Sequence, residues 1–283
     1  MKALIVGMGF GKVLYGNIYK QLGWDITYVD LYNNEADYNV ITDIPTPSFD
    51  IAHICTPNFT HFELANIAAK VSKIVFVEKP GVANSNQWQQ LLNNNPTTRI
   101  MMTKNNQYRD NIKDMIEAAT TGNVYINWIN KNRIPNAGSW FTNKELAFGG
   151  VSRDLMPHLL SIYQMLNPNW KYSNRTEAES KQRWTLDKII DTDYGNVNKN
   201  GVYNVDDFCY ISFDRFKLSA NWRSNSMDNI GIDTTNKKFD LGLCPEEAYE
   251  TMIKTAQANL LEDEFWNNQK DMDLWIHQQL EVL

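Results

Sequence analysis

Ala3-Leu4-Ile5-Val6-Gly7-Met8-Gly9-Phe10-Gly11-Lys12 joins a short apolar run to three closely spaced glycines, and the fold follows from how that junction is read. A continuous apolar run that ends abruptly in glycine is the mark of a parallel strand covered on both faces. The same residues look like the start of a signal peptide, but Gly7-Met8-Gly9 cut the run short and no small-residue cleavage site follows. The reading is therefore a buried strand. A helix is expected from about Gly11 to Leu22 and a second strand over Trp24 to Asp30, closing a βαβ unit of about 30 residues.

In that context the glycines fit a dinucleotide-binding fingerprint imperfectly. Gly7 and Gly9 stand where the pattern wants them, but the third glycine, Gly11, comes one residue early and Lys12 takes its place. Gly7 would make the tight turn, Gly9 would admit a pyrophosphate to the backbone, and the helix N-terminus would supply amide donors. Asp30 ends the second strand about 20 residues on, where a carboxylate can accept both adenosine ribose hydroxyls. It disfavours NADP, because a 2′-phosphate would meet a like charge and no Arg follows to relieve it. A plain tight turn and a solvated Asp at a strand end are the competing readings.

Further along, Phe49 to Cys55 reads as another buried strand stopped by Thr56-Pro57-Asn58. His61 to Lys70 has a helical pattern, and Lys73 to Val77 is a β-branched strand that runs into Glu78-Lys79-Pro80. In the second half, Asn123 to Arg133 alternates, with Val124, Ile126 and Trp128 on one face, as in a sheet with one side exposed. Val205 to Phe213 and Lys217 to Trp222 read the same way.

A chain of 283 residues is long for one core and comfortable as two domains, expected here as 1–105 and 106–283. With 43% hydrophobic and 21% charged residues, neither disorder nor a fibrous class is indicated. The net charge of −6, without a dense Lys/Arg cluster, argues against a nucleic-acid partner. No apolar run approaches the roughly 20 residues needed to cross a bilayer, so no membrane partner is expected. Cys55, Cys209 and Cys244 are odd in number and widely spaced, which fits neither a disulfide framework nor a zinc site. No metal and a cytoplasmic location are the corresponding expectations.

Two stretches resemble the glucose-fructose oxidoreductase, inositol dehydrogenase and MocA family, Gfo/Idh/MocA. The first runs from Ile54-Cys55-Thr56-Pro57-Asn58 through His61 to Val77-Glu78-Lys79-Pro80. The second is Gly149-Gly150-Val151-Ser152-Arg153-Asp154-Leu155-Met156-Pro157-His158, and Tyr249 to Trp275 is weakly similar to the family's closing helices. The resemblance implies an α/β Rossmann domain with a doubly wound parallel sheet, then an α+β domain built on an open, mostly antiparallel sheet backed by helices. It also implies a homo-oligomer, dimer or tetramer, and a catalytic role for Lys79 at the substrate oxygen. The expected cofactor is NAD, bound by Gly7, Gly9, Phe10, Gly11, Asp30, Thr56, Pro57, Asn58, His61, Glu78 and Lys79.

Asp154 and His158 are four apart on an expected helix, so their side chains can share a face. Oxidising an alcohol by hydride transfer requires a base for the hydroxyl proton, and His titrates nearest neutrality. His158 is the candidate base, with Asp154 orienting its ring. Pro157 should kink that helix or mark its first turns, and Gly149-Gly150 suits either close backbone approach to a ligand or a flexible loop. Tyr108, Arg109, Arg133 and Trp140 lie in segments that border the pocket in relatives; an Arg there could hold a carboxylate or phosphate and Trp140 could stack on a sugar. The expected substrate is a small secondary alcohol or ketone, sugar-like. A non-catalytic dinucleotide-binding regulator and a biliverdin-reductase-like enzyme are the alternatives.

Overall fold

The computed structural model describes residues 1–45, 48–131, 133–184, 197–224 and 228–283. It divides into two compact units, Met1–Thr103 with Tyr249–His277, and Lys104–Ala248 with Gln278–Leu283.

The first unit is built on five parallel strands, β1 (Lys2–Val6), β2 (Asp25–Val29), β3 (Phe49–Ile54), β4 (Ser72–Val77) and β5 (Arg99–Met102), in the order β2-β1-β3-β4-β5. The order reverses between β1 and β3, which makes their carboxyl ends the switch point where ligands enter such sheets. Ala3 to Val6 and Ile51 to Ile54 are buried, as strands covered on both faces require, with His53 the one polar residue among them. β5 was not legible as a strand, since Arg99-Ile100-Met101-Met102 is short and lacks β-branched character beyond Ile100.

The closing helices, Glu246–Ala258 and Asp263–Leu280, return largely to this first unit. Asp273 accepts from Met102 N at 2.9 Å, and His277 Nε2 accepts from Val82 N at 3.2 Å while its ring stacks on Trp88. A boundary at 105/106 drawn along the sequence leaves out this return of the chain.

The second unit carries six strands, β6 (Val124–Ile129), β7 (Arg175–Lys181), β8 (Phe208–Phe213), β9 (Phe216–Asn221), β10 (Asn229–Thr234) and β11 (Lys238–Asp240), ordered β11-β10-β6-β9-β8-β7. All neighbours are antiparallel except the β6–β9 pair. Val124, Ile126 and Trp128 are buried while Tyr125 is exposed, the alternation read from the sequence. The buried face meets the helix Met156–Leu166, most of whose side chains are themselves buried. No helix among the described residues is long and apolar enough to cross a membrane, and no cluster of His, Cys, Asp and Glu among them could hold a metal.

Candidate functional site

At the end of β1, Gly7 has φ +97°, and a Cβ there would lie 2.6 Å from Cys55 O, so only glycine serves. A Cβ on Gly9 would meet nothing within 4 Å, which leaves the backbone open to a pyrophosphate at the start of the helix. Gly11 presses against the sheet: its Cβ would stand 2.9 Å from Ile5 Cγ2 and 3.0 Å from Cys55 Cβ. It therefore does the close helix–strand packing that the fingerprint assigns to the third glycine, one residue early. The helix then widens to π-type bonding over Lys12–Gly16 before resuming α geometry at Asn17–Gln21. A π-bulge accommodates one extra residue, so the residue missing before Gly11 is taken up a turn later.

Asp30 binds this turn to the end of β2. Its Oδ2 accepts from Met8 N at 2.8 Å, and its Oδ1 from Tyr32 N at 2.9 Å and Asn33 N at 3.1 Å. A carboxylate offers about four acceptor sites, so one on Oδ2 stays available to a ribose hydroxyl. Lys12 pairs with Glu35 at 2.6 Å beside it, and Phe10 is 52% exposed, free of the core.

Beyond β3 and β4 two turns are tied together by His61, which is fully buried. Its Nδ1 lies 2.7 Å from Gly81 O and its Nε2 2.7 Å from Thr56 O. Burial lowers its pKa, while both carbonyls favour the charged ring. His61 thus serves as a clamp between the Thr56-Pro57-Asn58 and Glu78-Lys79-Pro80-Gly81 turns. Within the first of these, Thr60 Oγ1 sits 2.7 Å from both Thr56 Oγ1 and Pro57 O, and Asn58 is buried. In the second, Glu78 Oε1 accepts from Tyr15 at 2.5 Å and Oε2 from Lys79 N at 3.3 Å, and the Lys79–Pro80 bond is cis.

In the second unit the single helix expected through Asp154 and His158 is two, Val151–Asp154 and Met156–Leu166, with Pro157 in the first turn of the latter. Proline has no N–H to give to a continuous helix, which is the reason for the break. Asp154 is buried and its Oδ2 accepts from Trp222 Nε1 at 2.9 Å. The His158 ring stacks on Trp128 with centroids 5.1 Å apart, and Nδ1 stands 3.4 Å from Asn106 Nδ2. Gly150 makes its close approach to protein backbone: a Cβ would lie 1.8 Å from Asp206 O. Asp206 accepts from Gly150 N, Ser152 N and Ser152 Oγ at 2.7 to 2.8 Å and so caps the helix that carries Asp154.

The expected substrate residues are placed differently from one another. Arg109 is buried and donates to Asn106 Oδ1, Leu241 O and Gly242 O. Arg133 pairs with Asp228. Trp140 opens the turn Trp140–Thr142 with its ring 4.6 Å from Phe141, and Tyr108 is half-buried at the end of the turn Asn105–Tyr108. Tyr15, Asn106, Asp206 and Trp222 were missed by sequence reading. Each acts through a contact between residues far apart in the chain, and no local spacing signals it.

Strand order, glycine turn and the Asp30 anchor define the first unit as a dinucleotide-binding Rossmann fold. Residues 1–103 match the Gfo/Idh/MocA family model, described as oxidoreductase family, NAD-binding Rossmann fold, in keeping with NAD as the expected cofactor. A protein of Amycolatopsis mediterranei whose name proposes a UDP-kanosamine synthase oxidoreductase subunit is 30% identical over 122 residues, 41% of this chain and 34% of that one. The alignment thus spans about a third of that relative. Oxidoreductase P35 of Formosa agariphila is 22% identical over 256 residues, 85% of this chain and 74% of that one.

Among solved structures, GenD2 from gentamicin A biosynthesis in complex with NAD has TM-score 0.76 and 16% identity, covering 99% of this chain and 92% of its own. Levoglucosan dehydrogenase with NADH and levoglucosan has TM-score 0.74 and 14% identity, covering 100% and 96%. Myo-inositol dehydrogenase from Corynebacterium glutamicum has TM-score 0.73 and 11% identity, covering 99% and 94%. At these identities the likeness is one of fold.

Proposed function

We propose that the chain is an NAD(H)-dependent dehydrogenase or reductase acting on a secondary alcohol or ketone of a sugar, cyclitol or nucleotide sugar. The observation that carries the reading is the glycine turn, open at Gly9 and tied to Asp30 through Met8 N. It is a cradle for an adenine dinucleotide without a 2′-phosphate. Bound there, NAD supplies the two-electron hydride acceptor.

In this proposal Lys79 and His158 handle the substrate oxygen and Asp154 orients His158. Their residue types suit it: a cationic donor stabilises alkoxide character as the hydride leaves, and an imidazole can bond the same oxygen. Asp154 keeps its place through Trp222, which holds the carboxylate from the β9 end. Trp128 stacks on His158 and restrains the plane of its ring. Oxidation removes a hydride from carbon and a proton from oxygen, and these residues see only the proton.

Levoglucosan dehydrogenase and myo-inositol dehydrogenase are named for a sugar derivative and a cyclitol, and that supports the same class here. The test is NADH formation with a panel of hexoses, anhydrosugars, inositols and nucleotide sugars. Turnover of any of them is expected. Tight NADH binding with no turnover across the panel would favour the regulator, and turnover of a linear tetrapyrrole alone would favour the biliverdin-reductase-like reading.

A further inference from the structure

In the second unit Arg109, Asn106 and His158 form a hydrogen-bond chain with a fixed direction. Arg109 Nε lies 2.9 Å from Asn106 Oδ1, and the rest of the guanidinium is held by Leu241 O at 2.7 Å and Gly242 O at 3.1 Å. A guanidinium has donors only, so the Asn106 atom facing it must be the carbonyl oxygen. Turning the amide over would set N–H against N–H. Asn106 is fully buried, so solvent does not relieve that conflict.

The NH₂ end of Asn106 is thereby aimed at His158 Nδ1, 3.4 Å away. That group can donate and cannot accept, so Nδ1 must present its lone pair. A neutral imidazole has one ring proton, which then sits on Nε2. The Trp128 stack, 25° from parallel, holds the plane of the ring, and the Asn106 amide selects the flip that sets Nδ1 against it.

We infer that Asn106, locked by Arg109, is a positioning residue that holds neutral His158 in its Nε2–H form, so that His158 acts as a hydrogen-bond donor to the substrate oxygen. This rests on the proposed placement of His158 at that oxygen. It alters the base role that the sequence suggested, because a neutral ring acting as base through Nε2 needs the tautomer that Asn106 opposes. In the reducing direction His158 Nε2–H polarises the carbonyl, as a neutral imidazole can.

Long-range ¹H–¹⁵N correlation on histidine-labelled protein near pH 8 tests the assignment without substrate or cofactor. His158, assigned by the loss of its signals in His158→Gln, should show a pyridine-type Nδ1 and a pyrrole-type Nε2. His277 provides the internal contrast, since its Nδ1 lies 2.7 Å from the carbonyl of Asp273 and must carry the proton. Asn106→Asp, which sets an acceptor against Nδ1 and keeps a partner for Arg109, should convert His158 to the Nδ1–H form. Its kcat should fall roughly 100-fold, the usual scale of a proton-handling contribution, with NADH affinity retained. A wild-type His158 that is Nδ1–H or doubly protonated overturns the inference, as does a pattern that Asn106→Asp leaves unchanged. Because the spectra need no turnover, a failed substrate screen would sink the proposed function and leave the tautomer result standing.

Discussion

Tyr15 donates a 2.5 Å hydrogen bond to Glu78 Oε1, joining the π-bulge of the first helix to the turn that carries Lys79. Tyr15 is fully buried between Cys55 and the rings of His53 and Tyr249. Burial first, then the Glu78 charge, push its phenol pKa well above the ordinary range, so it remains a donor at any working pH. Tyr15→Phe keeps the ring and removes the donor. We expect a loss of about 1–3 kcal/mol of stability and a lower kcat with NADH affinity changed less. Urea unfolding and steady-state kinetics on the purified variant check both, and unchanged values in both would remove Tyr15 from the site.

Much of the first unit was legible because its signals are local. Ala3 to Val6 ends in Gly7, and only glycine tolerates φ +97° beside Cys55 O. The alternation of Val124, Ile126 and Trp128 likewise announced a half-covered strand. What could not be read is what depends on tertiary pairing. Gly11 looked like a misplaced glycine until the π-bulge showed where the missing residue goes. Arg109 looked like a substrate ligand until its three donors were found on Asn106, Leu241 and Gly242.

The packing role of Gly11 predicts the cost of filling it. A Cβ there would come within 3.0 Å of two side-chain carbons, and strand β1 and Cys55 are both part of a close-packed layer. Gly11→Ala should cost about 1–3 kcal/mol through overpacking, read as a lower urea midpoint with an unchanged slope. Gly9→Ala, which meets no protein atom, should leave the midpoint nearly unchanged and weaken NADH binding instead.

His61 bridges the two turns through both ring nitrogens. His61→Ala would remove the one ring N–H that a neutral imidazole donates to the Thr56 or Gly81 carbonyl and open a cavity, at a combined cost of about 2–4 kcal/mol. Limited proteolysis should then cut within 56–60 or 78–81 faster than in the wild type. A cleavage pattern and rate identical to the wild type would show that the turns hold without the clamp.

Acid should destabilise the fold before most carboxylates titrate. His53 is fully buried against Tyr15, Tyr19 and Phe76, and burial lowers its pKa to about 3 from 6.5; His61 is lowered in the same direction. The unfolded chain binds these protons near pH 6.5 and the folded chain does not, so the stability present above that pH is lost as pH falls toward 3. The slope is at most about 1.4 kcal/mol per pH unit for each histidine, and His53, with its pKa near 3, contributes about 2 kcal/mol between pH 7 and 5. Urea midpoints at those two pH values measure it, and His53→Phe should flatten the difference. An equal acid loss in that variant would place its origin elsewhere.

Asp30 has two separable duties. Through Oδ1 and Oδ2 it fixes Tyr32, Asn33 and Met8, and through its charge it repels a 2′-phosphate. Asp30→Asn keeps an acceptor for two of those amides and removes the charge, so NADPH binding should improve relative to NADH by roughly 10-fold, a gain of about 1.4 kcal/mol. Asp30→Ala loses the anchors too, and should weaken both cofactors while narrowing the ratio between them. Quenching of tryptophan fluorescence by NADH and NADPH gives the six affinities needed, two each for the wild type and the two variants. If Asp30→Asn left the ratio unchanged, discrimination would have to come from the neighbouring Lys12–Glu35 pair. Glu35→Gln, which frees the Lys12 ammonium for a phosphate, would then be the variant that admits NADPH.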